Sequence, residues 1–221
     1  MQNVFSICTR FPGKREKPMN KQNSTIMKLA ETALLAALCY VSFTFLQIKI
    51  PVPGRDATSL HIGTTFCVLG ALLLGGWYGG LAGSIGMTIA DLMDPVYITG
   101  APKTFVLKLC IGLITGLVAH KIAKINETND KKYVFKWSLI ASIAGLAFNV
   151  IADPIVGYFY KQYILGQPQE VASILAKLSA GATFVNAIVS TILVVIIYNA
   201  VRPALIKANL IHVYVTAANA K

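Results

Sequence analysis

The chain has 221 residues, of which 55% are hydrophobic and only 13% are charged. A soluble domain carries about 25% charged residues, so this composition excludes an ordinary soluble protein and predicts one that is solvated by lipid. The formal net charge is +11, but the basic residues cluster in short segments between apolar runs, as in membrane proteins rather than nucleic-acid-binding ones. We therefore predict an all-α membrane protein, built as a bundle of six transmembrane helices.

The first predicted span is the apolar run from Ser24 to about Ile48. Ser24 is a suitable N-cap, and the proline- and glycine-rich segment that follows the run ends the helix. Residues 1–23 are polar and basic, which predicts a disordered cytoplasmic tail. The long apolar segment after this tail has no clear small-residue cleavage site, so we do not expect a cleavable signal peptide.

The next apolar stretch is too long for one helix. Residues 62–90 carry no formal charge, and as one helix they would be about 44 Å long against a hydrocarbon core of about 30 Å. Four glycines around Trp77 and Tyr78 divide the stretch. We predict two short spans, 60–75 and 78–93, joined by a tight turn at headgroup level.

Three further spans are predicted in the second half of the chain. They cover residues 104–123, 137–160 and 180–201, with polar loops at 124–136 and 161–177, the second of which can include helix. The Asp153-Pro154 pair lies within the fifth span and should kink it. The predicted transmembrane domain thus covers residues 24–203, and residues 204–221 form a cytoplasmic tail.

The distribution of lysine and arginine predicts the orientation. The N-terminal tail, the turn at Trp77, the 124–136 loop and the C-terminal tail alternate on one side of the membrane. With the adjacent span ends they hold 14 basic residues, against five on the other side. Because basic segments stay in the cytoplasm, we predict that both termini are cytoplasmic.

Polar side chains at membrane depth are costly and therefore mark candidate sites. In this chain they lie in the outer loops or in the helix halves near them, which indicates a cavity that opens outward. Asn149 and Asp153 are four residues apart and share one helical face. Interhelical hydrogen bonding is the alternative role for such residues. The predicted ligand-binding residues are His61, Asp91, Lys103, Asn149, Asp153 and Asn186.

Two acidic residues, Asp91 and Asp94, end the third span, where a negative charge opposes the helix dipole. An exposed helix end would not favour them, so we expect a basic partner such as Lys103 or Lys108. Both a structural ion pair and a contact with a ligand remain open for these acids.

The sequence lacks the common motifs for nucleotide hydrolysis, serine hydrolases and zinc proteases. The chain has no Walker A, GxSxG or HExxH sequence. Its four cysteines form no CxxC pair, and we expect neither a metal nor a cofactor. Without an inverted repeat or a series of membrane carboxylates, it also lacks the features of a stand-alone pump.

Several short motifs resemble one family of transporters. They are His61-Ile62-Gly63, Leu72 to Gly75, Tyr78-Gly79, Leu81 to Gly86 and Ala90-Asp91-Leu92, continued by Ala101 to Thr104 and Lys108. Over residues 25–202 the chain resembles the substrate-binding S components of energy-coupling factor (ECF) vitamin transporters. It most resembles the riboflavin-type branch, which also includes pyridoxine and hydroxymethylpyrimidine transporters.

The resemblance implies a six-helix S-component fold, with the ligand bound beneath the first and third outer loops and against spans four to six. It also implies docking onto a transmembrane coupling subunit that works with two cytoplasmic ATPases. S components use an AxxxA motif on the first span for this docking, and Ala33 and Ala37 are the matching positions here.

The resulting hypothesis is the substrate-binding subunit of an ECF-type importer in a prokaryotic plasma membrane. Its ligand would be a small water-soluble vitamin or precursor, with a pyridoxine-like or pyrimidine-like heteroaromatic favoured and riboflavin next. The alternatives are a membrane-embedded enzyme, which would need a nucleophile or metal set, and a structural or assembly subunit, which would have no ligand cavity.

Overall fold

The computed structural model describes residues 21–52, 56–128 and 130–208. The described residues form six α-helices, one β-hairpin and short turns. The predicted tail at 1–23 lies outside them except for its last residues, which begin the first helix, and the tail at 204–221 is described only as far as residue 208. The helices are α1 (Lys21–Phe45), α2 (Gly63–Leu74), α3 (Gly76–Met93), α4 (Ala101–Gly116), α5 (Lys131–Phe159) and α6 (Gln169–Lys207).

A β-hairpin occupies the first interhelical segment, which corrects the all-α prediction. Strand β1 (Gln47–Val52) pairs antiparallel with strand β2 (Asp56–His61), and Gln47 lies opposite His61. In the first four residues of β1, Gln47 and Lys49 alternate with isoleucines, a period-2 pattern that favours a strand. The start of this strand was predicted as part of the first helix and the rest as a loop, because prolines are typical of helix ends and loops.

The predicted division between the second and third helices is present, at Gly75. The residue has a φ of +100°, in the left-handed region that favours glycine. Neighbouring Trp77 is 58% exposed. Helix α2 has 12 residues and is about 18 Å long, shorter than a hydrocarbon core of about 30 Å. Among the described residues, four other helical segments are long and apolar enough to cross a membrane.

Glycines allow α3 and α4 to pack backbone to backbone. A Cβ atom on Gly112 would lie 2.2 Å from the Cα of Gly80, and one on Gly116 would lie 2.2 Å from the Cα of Gly76. Such separations are far below van der Waals contact, so each position requires glycine. This packing holds the start of α4 beside the end of α3, where the polar residues of both helices meet.

The last two helices are longer than the predicted spans. Helix α6 begins at Gln169, inside the predicted 161–177 loop, and continues through Pro203. Helix α5 begins at Lys131, inside the predicted 124–136 loop. Hydropathy detects only the part of a helix that lies in lipid, whereas the 39 residues of α6 extend about 58 Å, nearly twice the hydrocarbon thickness.

Candidate functional site

A polar cavity of about 130 Å³ lies at the end of the bundle that carries the hairpin. The hairpin covers it, and α3, α4, α5 and α6 form its walls. Five of the six predicted ligand-binding residues lie on these walls: His61, Asp91, Lys103, Asp153 and Asn186. The sixth, Asn149, is buried in α5 and is not part of the cavity wall.

An ion pair between α4 and α5 lies on one wall. The Lys103 ammonium is 2.9 Å from a carboxylate oxygen of Asp153, and both side chains are mostly buried. The Ser179 hydroxyl of α6 donates a hydrogen bond to the other oxygen of the same carboxylate. Lys103 lies in the first turn of α4, and not in the preceding loop as predicted, so a helix fixes its position.

Asn186 joins α6 to the hairpin. Its side-chain nitrogen donates to the Ser59 carbonyl at 3.0 Å, and its side-chain oxygen accepts from the His61 backbone N–H at 3.0 Å. Both polar groups of the amide are therefore engaged with the backbone of β2. This arrangement positions the hairpin over the cavity while the side chain lies on the cavity wall.

An aromatic cluster closes the side of the cavity below the hairpin. The His61 ring meets Phe43 edge to face with centroids 4.7 Å apart, and Phe43 is 5.8 Å from the Tyr97 ring. The buried Nδ1 of His61 has no hydrogen-bond partner among the described residues. This nitrogen is a polar group that a ligand could satisfy.

The outer rim is held by an exposed ion pair. Lys49 of β1 pairs with Asp94, which follows α3, and its ammonium is 5.5 Å from the centre of the Tyr97 ring. Partial burial raises the pKa of Asp94, but hydrogen bonds from Lys49 and from the Val96 N–H outweigh it and hold that pKa below its usual range. The partner of Asp94 is thus Lys49, and neither of the two lysines named in the sequence analysis.

Asp91 and Lys108 lie deeper on the wall. Asp91 is 3% exposed, and its carboxylate is hydrogen-bonded to the side chain of Thr104. Lys108 is 8% exposed, and its ammonium contacts the Thr64 hydroxyl at 3.4 Å. The described ion pairs include neither residue, so the expected direct pairing of Asp91 with a lysine is not formed.

Several residues of the wall were not predicted from the sequence. Hydroxyl groups of Thr104, Ser179 and Thr183 line the cavity, and the Tyr160 hydroxyl donates to the Thr99 carbonyl at its rim. A hydroxyl inside a helix can be satisfied by a carbonyl of the preceding turn, so its presence alone gives no signal. The Asp153 carboxylate was the available clue, because a buried acid needs donors from neighbouring helices.

A polar cavity at one end of an apolar helical bundle is an arrangement typical of membrane proteins that bind a small solute. A solved structure of ThiT from Listeria monocytogenes has the same fold, with a TM-score of 0.59 and 21% sequence identity. The alignment covers 83% of this chain and 98% of that chain. Comparison with individual curated proteins gives no match.

The family is established by sequence. Residues 23–203 match the family of ECF-type riboflavin transporter S components, and the chain belongs to that family. Membership makes it a substrate-binding subunit of a vitamin transporter and not an enzyme. The apolar helices agree with a multi-pass membrane protein.

Proposed function

We propose that this chain captures a small, single-ring heteroaromatic vitamin or precursor in the cavity beneath the β-hairpin. The observation that carries the proposal is the size of this cavity, about 130 Å³. An engineered apolar cavity of about 150 Å³ in another protein holds one benzene ring. A pyridoxine-like or pyrimidine-like ring fits such a space, whereas the three fused rings of riboflavin would require it to expand.

The chemistry of the wall supports a polar, water-soluble ligand. Asp153, Lys103 and the hydroxyls beside them provide charged and neutral hydrogen-bonding groups, and His61 and Phe43 provide aromatic surface. We propose that His61, Asp91, Lys103 and Asp153 contact the ligand, and that Asn186 contributes from the wall. Asn149, one turn before Asp153, would support that wall from inside α5.

We propose that transport requires separate partners, a transmembrane coupling subunit and two cytoplasmic ATPases. Ala33 and Ala37, the positions that match the AxxxA motif, are exposed on α1 next to the exposed Leu34 and Leu38. Small residues on an exposed helix face allow a second helix to approach closely. The exposure of this face therefore supports docking and argues against a role for the pair in packing the bundle.

The proposed topology has six spans in a prokaryotic plasma membrane, both termini in the cytoplasm, and the hairpin outside. The count of basic residues on the two sides supports this orientation. The short α2 would then cross the membrane only together with the segments that flank it. In this orientation the cavity receives ligand from outside and the exposed face of α1 lies in the membrane, accessible to the coupling subunit.

The test is uptake into liposomes that contain the purified chain, alone or with a coupling subunit and its ATPases. The chain alone should bind radiolabelled pyridoxine or a pyrimidine analogue without accumulating it, because it has no motif for ATP hydrolysis. Accumulation should appear only when the partners and ATP are present. Concentrative uptake by the chain alone would overturn the proposed need for partners. The absence of any ligand binding would overturn the binding role and favour an assembly role.

A further inference from the structure

Lys108 is a buried cation on the cavity wall without a carboxylate partner. It is 8% exposed, and the ion pairs found among the described residues do not include it. Its ammonium forms a long hydrogen bond, 3.4 Å, to the Thr64 hydroxyl. An ammonium has three donors, and a charge that is buried without compensation is strongly unfavourable. The described side chains thus supply one acceptor for the three donors of the Lys108 ammonium.

The two acids on the wall are already engaged. The Asp153 carboxylate binds Lys103 through one oxygen and Ser179 through the other. The Asp91 carboxylate is hydrogen-bonded to Thr104. Both aspartates of the described wall therefore have donors other than Lys108. Neither carboxylate lies within ion-pair distance of the Lys108 ammonium.

We propose that the natural ligand carries an anionic group, a carboxylate on its single ring, and that this group binds the Lys108 ammonium. The inference rests on the proposed function, since it names the chemical class of ligand for the same cavity. A carboxylate would supply the acceptor that Lys108 lacks, through a charge-assisted hydrogen bond. The ring would then lie toward Phe43 and the unpartnered Nδ1 of His61.

The test compares matched pairs of compounds that share a ring and differ in charge. Nicotinate with nicotinamide, and orotate with uracil, are titrated into the purified full-length protein by calorimetry. Pyridoxine and riboflavin serve as neutral references. We expect at least one acid to bind about 10- to 150-fold more tightly than its neutral counterpart, the range for a hydrogen bond to a charged group.

Two substitutions test whether Lys108 causes the preference for the acid over the neutral compound. Lys108→Met should abolish the advantage of the acid, whereas Lys177→Met removes a charge from an exposed position on α6 outside the cavity and should leave it unchanged. Without ligand, Lys108→Met should melt at or above the wild-type temperature, because an unpaired buried charge is replaced by an apolar side chain.

The possible failures are distinguishable. If the neutral compounds bind as tightly as the acids, or if Lys108→Met keeps the preference, the inference is wrong while the proposed function stands. If neither the acids nor the neutral references bind, both are wrong. If Lys108→Met and Lys108→Gln both melt well below wild type without ligand, the ammonium is a structural group and the inference is again wrong.

Discussion

At the scale of single residues, Asn186 connects the cavity wall to its cover. Its amide forms two hydrogen bonds to the backbone of β2, one as donor and one as acceptor. An alanine at this position would leave the Ser59 carbonyl and the His61 N–H without these partners. Among the described side chains, a remaining polar link between the hairpin and the helices is the exposed pair of Lys49 and Asp94, and exposed ion pairs contribute little.

We predict that Asn186→Ala weakens ligand binding by about five- to 150-fold, the equivalent of one unpaired buried polar group. The loss should appear as faster dissociation, because the cover loosens while the wall remains. Stopped-flow measurement of ligand release checks this. Asn199→Ala is the matched control, since the Asn199 amide donates to the Val195 carbonyl of its own helix. Equal release rates for the two variants would contradict this role.

The sequence predicted where the polar residues of the cavity lie better than it predicted which residue each of them pairs with. The cost of polar groups in lipid correctly indicated that His61, Asp91, Lys103 and Asp153 belong to one region. Asn149 followed from helical periodicity alone, which does not reveal that the wall begins one turn later. The Lys49–Asp94 pair could not be predicted, because it depends on a hairpin that brings β1 over the end of α3.

At the scale of elements, the contact of α3 with α4 is the most tightly specified. Gly112→Ala would place a methyl group 2.2 Å from the Cα of Gly80, and only movement of a helix could relieve the overlap. We predict a loss of stability of about 1–3 kcal/mol, typical of overpacking. A thermal melt in detergent measures it.

The control for this prediction is Gly181→Ala on α6, where an added Cβ would meet nothing within 4 Å. Alanine there should keep or slightly raise the melting temperature, because it favours helix by about 1 kcal/mol over glycine. Equal melting temperatures for the two variants would show that α3 and α4 do not pack backbone to backbone.

On the exposed face of α1, unlike at Gly112, larger side chains should not reduce stability. Replacing Ala33 or Ala37 by leucine should leave the melting temperature and the ligand affinity unchanged, because both positions are exposed. ATP-driven uptake by the complete transporter should fall, since bulk would prevent close approach of a partner helix. Ala200→Leu, at an exposed position of α6, is the control. Joint loss of affinity and stability would assign the pair to bundle packing.

Helices were predicted well where they lie in apolar surroundings and poorly where they leave them. The turn at Gly75 followed from length and glycine content, and the structure has it there. The start of α6 was assigned to a polar loop that can include helix, because Glu170 and Lys177 are typical of a loop although both are compatible with a helix outside lipid. The hairpin was missed because its prolines resemble a helix terminator, and strand pairing is a nonlocal property.

At the scale of the whole molecule, the proposed orientation can be tested at the end opposite the hairpin. The buried Arg202 donates to the carbonyls of Ile125 and Thr128, which ties the α4–α5 segment to the end of α6. This end should therefore behave as one unit on the cytoplasmic side. A cysteine at Thr128 keeps the carbonyl that Arg202 uses.

We predict that a membrane-impermeant maleimide added to intact cells does not label Thr128→Cys. It should label Tyr163→Cys, because Tyr163 is 72% exposed near the cavity end of α5. Permeabilised cells should show labelling at both positions, which controls for reactivity. Strong labelling of Thr128→Cys in intact cells would reverse the orientation.

The central claim, that the cavity beneath the hairpin holds the transported compound, is tested most directly by mass spectrometry of small molecules that co-purify with the protein. Gly100 lines this cavity, has a φ of −87° and has open space for a side chain, so Gly100→Trp should fill the cavity without straining the backbone. Gly181→Trp adds the same bulk at an open position outside it. We predict that wild type and Gly181→Trp release one single-ring compound in equimolar amount and that Gly100→Trp releases none. Equal release from Gly100→Trp would place the ligand elsewhere and contradict the account.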